Sequence, residues 1–197
     1  MQNKPDEEKL EPLARFLRFG HAIKHLPRNR KIKFVDLGCG PTVPFYKFTN
    51  KRNVNFDTYF AIDPLINKEA SKNYKIKAIK QSILKLIPLP DNSIDHVFAS
   101  AVIEHVDYPE QILNECLRIL KKDGTAIFTT PTTRAKKLLE FLSFKLNLIS
   151  KELMLEHKQY FTPESLGELL QSSPYPHSVS HQYFEFGLNN LFVIKKL

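Results

Sequence analysis

The stretch that decides the fold is Ile32-Lys33-Phe34-Val35-Asp36-Leu37-Gly38-Cys39-Gly40-Pro41. Its first half is mostly apolar, which predicts a short strand over Ile32–Asp36. Its second half holds two glycines one residue apart. Such a pair lets the backbone bend sharply and lets a ligand approach closely. A strand that runs into a glycine-rich turn predicts a ligand site at the carboxyl end of that strand.

Strand and helix patterns alternate around this turn. Apolar residues at helical spacing predict an N-terminal helix that ends near Pro27 and a second helix over Glu110–Leu120. The predicted further strands are Thr58–Ile62, Tyr74–Ile79, Ile94–Ser100, Thr125–Thr130 and two within Val179–Lys196, with Leu188-Asn189-Asn190 between those two. This alternation predicts an α/β fold with a doubly wound, mostly parallel sheet.

The 197 residues suit one domain with a sizeable core. Within the single domain 1–197 we expect an N-terminal helical segment over residues 1–30 and a helical insertion over residues 132–160. No apolar run reaches the roughly 20 residues that a membrane helix needs, and Met1–Glu11 is too charged for a signal peptide. Cys39 and Cys116 form neither a metal-ligand spacing nor a disulfide framework, so a cytoplasmic location is expected.

The formal net charge of the chain is +8. A basic surface can attract nucleic acid, anionic lipid or an acidic substrate, and it can also simply keep a protein soluble. Lys and Arg are spread along the chain, with the densest stretch over Arg15–Lys33, which slightly favours the solubility interpretation. Nucleic acid is not the expected partner, because the aromatic and basic platforms of RNA-binding modules are not evident. An RNA-directed function is the less favoured alternative, and it predicts binding that weakens steeply with salt.

The glycine turn separates two classes of cofactor. A nicotinamide or flavin dinucleotide needs the pattern G-x-G-x-x-G, and Val43 stands where its third glycine belongs. Asp36 precedes the turn, where an acid faces a pyrophosphate unfavourably but suits the ammonium group of S-adenosylmethionine (SAM). Asp63 follows the next predicted strand, about 20 residues on, where an acid can accept hydrogen bonds from ribose hydroxyls. The alternative for Asp63 is a helix cap or a turn residue.

Five segments, the first of which contains the glycine turn, follow one another along the chain in the order of a known set of motifs. They are Val35–Pro41, Ile62–Pro64, Pro88–Asp95, Val102–Val106 and Arg118–Gly124. Together they resemble the motifs of class I SAM-dependent methyltransferases, in the broad group that includes ubiquinone and menaquinone biosynthesis methyltransferases. The resemblance implies a seven-stranded sheet with a C-terminal antiparallel hairpin. It also implies a methyltransferase that binds SAM over the ends of strands 1, 2 and 4.

The resemblance further implies a set of cofactor-binding residues. They are Asp36, Gly38, Cys39, Gly40, Asp63, Pro64, Ser82, Ile83, Ala99 and Ser100. In this set Asp36 and the two glycines would hold the methionine portion, Asp63 the ribose, and Ala99 with Ser100 the floor beneath the cofactor. The family often has an Asp after strand 3 that bonds the adenine amino group, and here Ser82 or a backbone group must serve instead.

The loop after the predicted strand Ile94–Ser100 holds two candidates for a base that removes a proton from the methyl acceptor. His105 is the first candidate, together with its neighbour Glu104, because histidine titrates near neutral pH. A structural loop pair is the equal alternative. In the ubiquinone branch the pattern E-x-x-E-H can bind a divalent metal, but Ala101 replaces the first acid here, and we therefore assign no metal ligand.

Substrate specificity in this family lies outside the core strands. The N-terminal helix and the apolar insertion Thr132–Tyr160 are the two candidates, and the insertion suits burial, a lid over a hydrophobic substrate, or contact with a membrane surface. His157 and Tyr160 are second-tier catalytic candidates, although Thr162–Ser165 favours a helix cap there.

The predicted function is SAM-dependent methyl transfer to a small molecule, with a lipid or glycan precursor weakly favoured. An RNA methyltransferase, a non-catalytic SAM-binding domain and a nicotinamide oxidoreductase are the alternatives.

Overall fold

The structure is a computed structural model that describes residues 7–67, 69, 72, 75–84, 86–136 and 158–197. Most of the predicted insertion over residues 132–160, the beginning of the N-terminal segment, and the candidate His157 lie outside the described residues. No described helix combines the length and the apolar character that a membrane span requires.

Helices lie between the strands of one sheet. The helices are α1 (Glu7–Ala22), α2 (Pro44–Asn50), α3 (Pro109–Ile119) and α4 (Pro163–Gln171). The strands are β1 (Ile32–Leu37), β2 (Phe56–Ile62), β3 (Ile76–Ile79), β4 (Ile94–Ser100), β5 (Leu120–Pro131), β6 (His177–Phe184) and β7 (Asn189–Lys196). The sheet has seven strands in the order β3-β2-β1-β4-β5-β7-β6, and β7 runs antiparallel to both of its neighbours.

Both faces of the sheet are covered, as the doubly wound prediction requires. On one face, α1 and α2 build an aromatic core in which Phe19, Phe45 and Phe98 pack ring against ring. On the other face, the apolar stripes of α3 and α4 are buried against the strands. Because both faces are buried, β4 is apolar along most of its length.

The predicted strands and helices are confirmed to within a few residues, apart from one connection. The predicted turn Leu188-Asn189-Asn190 is wrong for its last two members, because Asn189 opens β7. The chain instead turns at Glu185, Phe186 and Gly187, which have φ values of 52°, 57° and 80°. Glycine adopts such left-handed angles freely, but glutamate and phenylalanine rarely do.

Strand order reverses between β1 and β4, which lie side by side although the chain leaves β1 toward β2. In open α/β sheets, ligands bind at this switch point, beyond the carboxyl ends of the strands. We call this side of the sheet the carboxyl edge. The glycine turn after β1 and the loop after β4 meet there.

Candidate active site

The two glycines of the turn have different roles. Gly38 and Gly40 have φ values of +70° and +69°, so both need the left-handed freedom of glycine. A Cβ atom on Gly38 would lie 2.5 Å from Cγ2 of Val102, in the loop after β4. A Cβ atom on Gly40 would meet no atom within 4 Å. Gly38 therefore lets the two loops touch, whereas Gly40 exposes its backbone to open space.

Asp63 ties the end of β2 to the glycine turn. One of its carboxylate oxygens, Oδ2, accepts a hydrogen bond of 2.9 Å from the Gly40 amide, and Oδ1 accepts one of 2.7 Å from the Leu65 amide. An ionised carboxylate can accept about four hydrogen bonds. Asp63 therefore caps a turn, as one interpretation of the sequence expects, and keeps acceptor capacity for a further donor.

Asp36 is buried at the end of β1. Its Oδ2 accepts a hydrogen bond of 2.6 Å from the hydroxyl of Tyr59, on β2. Burial raises the pKa of Asp36 to about 7, the nearby Asp63 carboxylate adds to the rise, and the Tyr59 hydrogen bond opposes it. The sequence gives no signal for this partner, because Tyr59 reads as an ordinary core residue of a strand.

Glu104 lies in a short 3-10 helix, Ile103–His105, that directly follows the end of β4. Its side chain has no exposed surface, and neither carboxylate oxygen has a hydrogen-bond partner among the described residues. Burial raises the pKa of Glu104 to about 8. The nearby backbone amides of Glu104 and Val102 and the positive charge of Arg18 on α1 partly offset this rise. His105 is half-buried and bonds through its backbone amide to the Val102 carbonyl oxygen. Sequence reasoning named both residues as candidate bases and put His105 first; of the two, Glu104 is the more buried.

The other predicted cofactor residues line the same edge of the sheet. Cys39 is buried, and burial raises the pKa of its thiol. Ser82 accepts a hydrogen bond of 3.3 Å from the Leu84 amide, and the hydroxyl of Ser100 accepts one of 3.0 Å from Thr129. Pro64 is exposed, Ile83 is half-buried and Ala99 is buried.

A further wall of the site comes from α1 and the C-terminal hairpin. The ring of His21 stacks on Phe184 with centroids 4.5 Å apart. Asn190 donates a hydrogen bond of 3.0 Å to the Phe161 carbonyl oxygen and accepts one from His181. These contacts join β7 to the chain that returns to the sheet after residue 157. Sequence reasoning assigned no site role to any of these residues, since their contacts depend on long-range packing.

Two candidates from the returning chain can be placed. Tyr160 lies beside Lys136, whose Nζ is 5.6 Å from the ring centroid. Thr162 caps α4, with its hydroxyl accepting from the Ser165 amide, which confirms the predicted helix cap. Within the described part of the chain, no group of three or more His, Cys, Asp or Glu side chains is arranged to hold a metal ion.

Comparison with known proteins supports the same interpretation. A family model described as a methyltransferase domain matches residues 35–128, which include the glycine turn, Asp63 and Glu104. Over this stretch the chain resembles the class I SAM-dependent methyltransferases. This is a family of enzymes, and its cofactor is SAM.

Two curated relatives match part of this chain. An uncharacterised protein of Methanocaldococcus jannaschii is 31% identical over 144 residues, which are 73% of this chain and 55% of the relative. A "probable S-adenosylmethionine-dependent methyltransferase" of Mycolicibacterium smegmatis is 32% identical over 95 residues, which are 45% of this chain and 37% of the relative. The chain thus spans about half the length, or less, of these two relatives.

A solved structure has the same fold as this chain. It is a Haloferax volcanii methyltransferase in complex with the activator Trm112. The comparison covers 99% of this chain and 98% of the other, with a TM-score of 0.72 and 14% sequence identity. At that identity, the likeness speaks for the fold alone.

Proposed function

We propose that this chain transfers the methyl group of SAM to a small-molecule acceptor, with Glu104 as the group that takes up the acceptor's proton. The observation that carries the proposal is the buried carboxyl group of Glu104, which has no hydrogen-bond partner among the described residues. It follows Val102 by two residues, and the side chain of Val102 packs against Gly38 of the cofactor turn. Buried titratable groups with shifted pKa values are candidates for functional sites.

The residues at the carboxyl edge fit SAM better than a dinucleotide. A pyrophosphate would need free backbone amides at the turn, but the Gly40 amide is already donated to Asp63. The carboxyl groups of Asp36 and Asp63 would repel phosphates. They suit a cofactor that carries an ammonium group, a sulfonium group and ribose hydroxyls but no phosphate. These two carboxyl groups therefore speak against the nicotinamide oxidoreductase alternative.

Each predicted cofactor residue then has a part in binding. Asp63 would accept a ribose hydroxyl with the acceptor capacity that its two backbone bonds leave. Asp36 would face the ammonium group through Oδ1, directly or through water, since Tyr59 already bonds Oδ2. Gly40 leaves space for the methionine portion, because no atom lies within 4 Å of its missing Cβ. Ser82 and Ile83 would border the adenine.

When it is bound, SAM supplies an activated methyl group on a positively charged sulfur. The chain's own residues have to exclude water, align the acceptor and remove its proton. A hydroxyl acceptor loses its proton as the new bond to carbon forms, and a nearby carboxylate can accept that proton. The pKa of Glu104 near 8 makes it a stronger base than an ordinary glutamate. Activity should therefore rise with pH up to about 8.

The acceptor class to test first is a lipid or glycan precursor. The support is the sequence of the segment 132–160, which is rich in leucine and phenylalanine and joins the described chain at the carboxyl edge. Its return residues, Lys158 and Gln159, donate their backbone amides to the Glu104 carbonyl oxygen, at 2.9 and 3.3 Å. An apolar segment tied to the proposed base suits an acceptor with an apolar portion.

Calorimetric titration with SAM, S-adenosylhomocysteine and NADH tests the cofactor step. We expect micromolar binding of the two adenosyl ligands, no binding of NADH, and a loss of about 10- to 150-fold in Asp63→Ala, as expected for a lost charged hydrogen bond. Tight NADH binding without SAM binding would establish the oxidoreductase alternative.

Transfer of a radiolabelled methyl group from SAM tests the enzyme. Cell extracts separated into lipid, glycan and RNA fractions serve as acceptors, and Glu104→Gln is compared with His105→Gln from the same short helix. We expect label in a lipid or glycan fraction and its loss in Glu104→Gln. Loss only in His105→Gln would restore the histidine as the base. Cofactor binding without labelling of any fraction would favour the non-catalytic alternative.

A further inference from the structure

Cations gather at the opposite side of the sheet, where the parallel strands begin. We define the amino-edge patch by six residues from the loop before β1, the start of β1 and the start of β5. They are Arg28, Arg30, Lys31, Lys33, Lys121 and Lys122. Five of the six are exposed, and the side chain of Lys121 keeps 42% of its surface in solvent.

One buried acid brings these cations together. Oδ2 of Asp95 accepts a hydrogen bond of 2.7 Å from the backbone amide of Lys33, and Oδ1 lies 2.9 Å from the Lys121 ammonium and 3.5 Å from the Arg30 guanidinium. Burial alone would raise the pKa of Asp95, but the Lys33 amide and the two cations lower it overall. Asp95 is therefore ionised at neutral pH, and it neutralises only one charge of the patch.

Two further acids, Asp57 and Asp123, lie near the patch, and they leave most of its positive charge in place. Asp57 is exposed at the start of β2, beside the start of β1. Asp123 follows Lys122, but it is already paired with Lys195, at 2.6 Å. Among the described residues Arg28, Lys31 and Lys122 form no ion pair within 4 Å and stay exposed, although the charge of Lys122 helps to lower the pKa of Asp123. The patch thus keeps a strong local excess of positive charge, which the densest basic stretch of the sequence only suggested.

We propose that the amino-edge patch binds the phosphate backbone of nucleic acid. None of the exposed large hydrophobic side chains of the described residues lies in segments 24–33 or 120–125. Membrane-bound helices and protein interfaces place apolar or aromatic side chains in their partner, so this surface suits neither as well. These two segments expose no Phe, Tyr or Trp ring for base stacking, although His25 is exposed. The patch therefore contacts mainly phosphates, and we expect little sequence preference in binding.

This site is distinct from the methyl-transfer site. Strand β1 separates the patch from the glycine turn, and at about 3.3 Å per residue its Ile32–Leu37 span sets them roughly 15–20 Å apart. Nucleic acid held here is therefore docked to the enzyme, and the reacting atoms lie at the other edge. The proposal is independent of the acceptor proposed above.

Fluorescence anisotropy with a labelled 20-nucleotide oligouridine RNA, between 50 and 200 mM KCl, tests the patch. Six phosphate contacts to a single strand predict that log K falls with log salt at a slope of about −4, so the fourfold rise in salt weakens binding about 250-fold. The variant Arg28→Gln/Lys31→Gln/Lys122→Gln leaves the contacts of Asp95 with Arg30, Lys33 and Lys121 intact. We expect its slope near −2 and a weakening of about 20-fold over the same range.

A matched control variant removes the same number of positive charges from exposed positions outside the amino-edge patch. The variant Lys47→Gln/Lys80→Gln/Lys136→Gln also removes three exposed cations, and it should bind like the wild type. Single-stranded DNA of equal length should bind as the RNA does, since only phosphates are read. Equal weakening in both triple variants, a strong preference between RNA and DNA, or no RNA binding by protein that still binds SAM would each overturn the proposal. So would patch-dependent binding to vesicles of equal parts phosphatidylcholine and phosphatidylglycerol with no binding to RNA.

Discussion

The buried acid Glu104 should make the protein less stable as pH rises. Its pKa is raised from the ordinary value of 4.5 to about 8 in the folded protein. Between those two pH values the folded protein holds a proton that the unfolded chain has already released. Since the folded state binds more protons there, the free energy of unfolding falls with increasing pH. The fall is about 1.4 kcal/mol per pH unit, or roughly 4–5 kcal/mol over the whole window.

The variant Glu104→Gln isolates this contribution. A glutamine side chain is neutral at every pH in the window. The free energy of unfolding of the variant therefore lacks the pH-dependent contribution of residue 104. Asp36, whose pKa is also raised, affects both proteins equally and cancels in the difference. We therefore expect the stability of the variant relative to the wild type to grow by about 1.4 kcal/mol per pH unit between pH 5 and pH 8.

Urea denaturation at pH 5, 6, 7 and 8 measures the difference. Far-UV circular dichroism is the suitable probe, because the chain contains no tryptophan. Glu168→Gln, which removes an exposed acid from α4, controls for the loss of one negative charge. If the curves of wild type and Glu104→Gln run parallel from pH 5 to pH 8, Glu104 does not titrate in this window, and the reasoning that makes it a base near neutral pH fails with it.

Three further changes test the neighbouring contacts. Tyr59→Phe removes the hydroxyl that donates a hydrogen bond to Asp36. By urea denaturation we expect the free energy of unfolding to fall by about 1–3 kcal/mol at pH 8, and by less at pH 5, where the Asp36 carboxyl group is protonated. Equal losses at the two pH values would contradict this. Gly38→Ala puts a side chain at φ +70° and 2.5 Å from a valine methyl group, so by calorimetry the Tm should fall by at least about 2–4 °C, and an unchanged Tm would refute the contact. Burial raises the pKa of the thiols of Cys39 and Cys116, so both should react slowly with a thiol reagent at pH 8 in the native protein and rapidly in urea; fast native labelling would show that one is accessible.

The fold was predictable from the sequence where local pattern and burial agree. Segment Ile94–Ser100 is short and mostly apolar, and it forms a strand where both faces of the sheet are covered. The hairpin turn was missed because it bends at Glu185 and Phe186, two residues that rarely adopt left-handed angles. Residue preferences instead pointed to the two asparagines, which tertiary contacts hold in β7.

The site was predictable as a set of positions but not as a set of contacts. The glycine turn and Asp63 sit where the spacing placed them, since both follow parallel strands that end at the same edge. The choice between Glu104 and His105 could not be made from the sequence, where histidine's ordinary pKa favours it as a base. Which of two neighbours is buried depends on how distant parts of the chain pack over the loop. Arg18 and Lys158, which come close to Glu104, lie far from it in sequence.

Among the described residues, acids gather at the carboxyl edge of the sheet and cations at the amino-edge patch. This separation allows a chain of net charge +8 to bind a cationic cofactor. An evenly basic surface would repel the sulfonium and ammonium groups of SAM. Here Asp36, Asp63 and Glu104 lie at the carboxyl edge, while the amino-edge patch gathers cations at the other. Burial holds the pKa of two of these acids near neutral pH, and a cation placed beside them would favour their charged forms. Part of the stability that the fold gives up by burying these acids would therefore be regained when a cationic ligand binds. This links the raised pKa values of Asp36 and Glu104 to the proposed cofactor, in addition to the proposed role of Glu104 as a base for the acceptor.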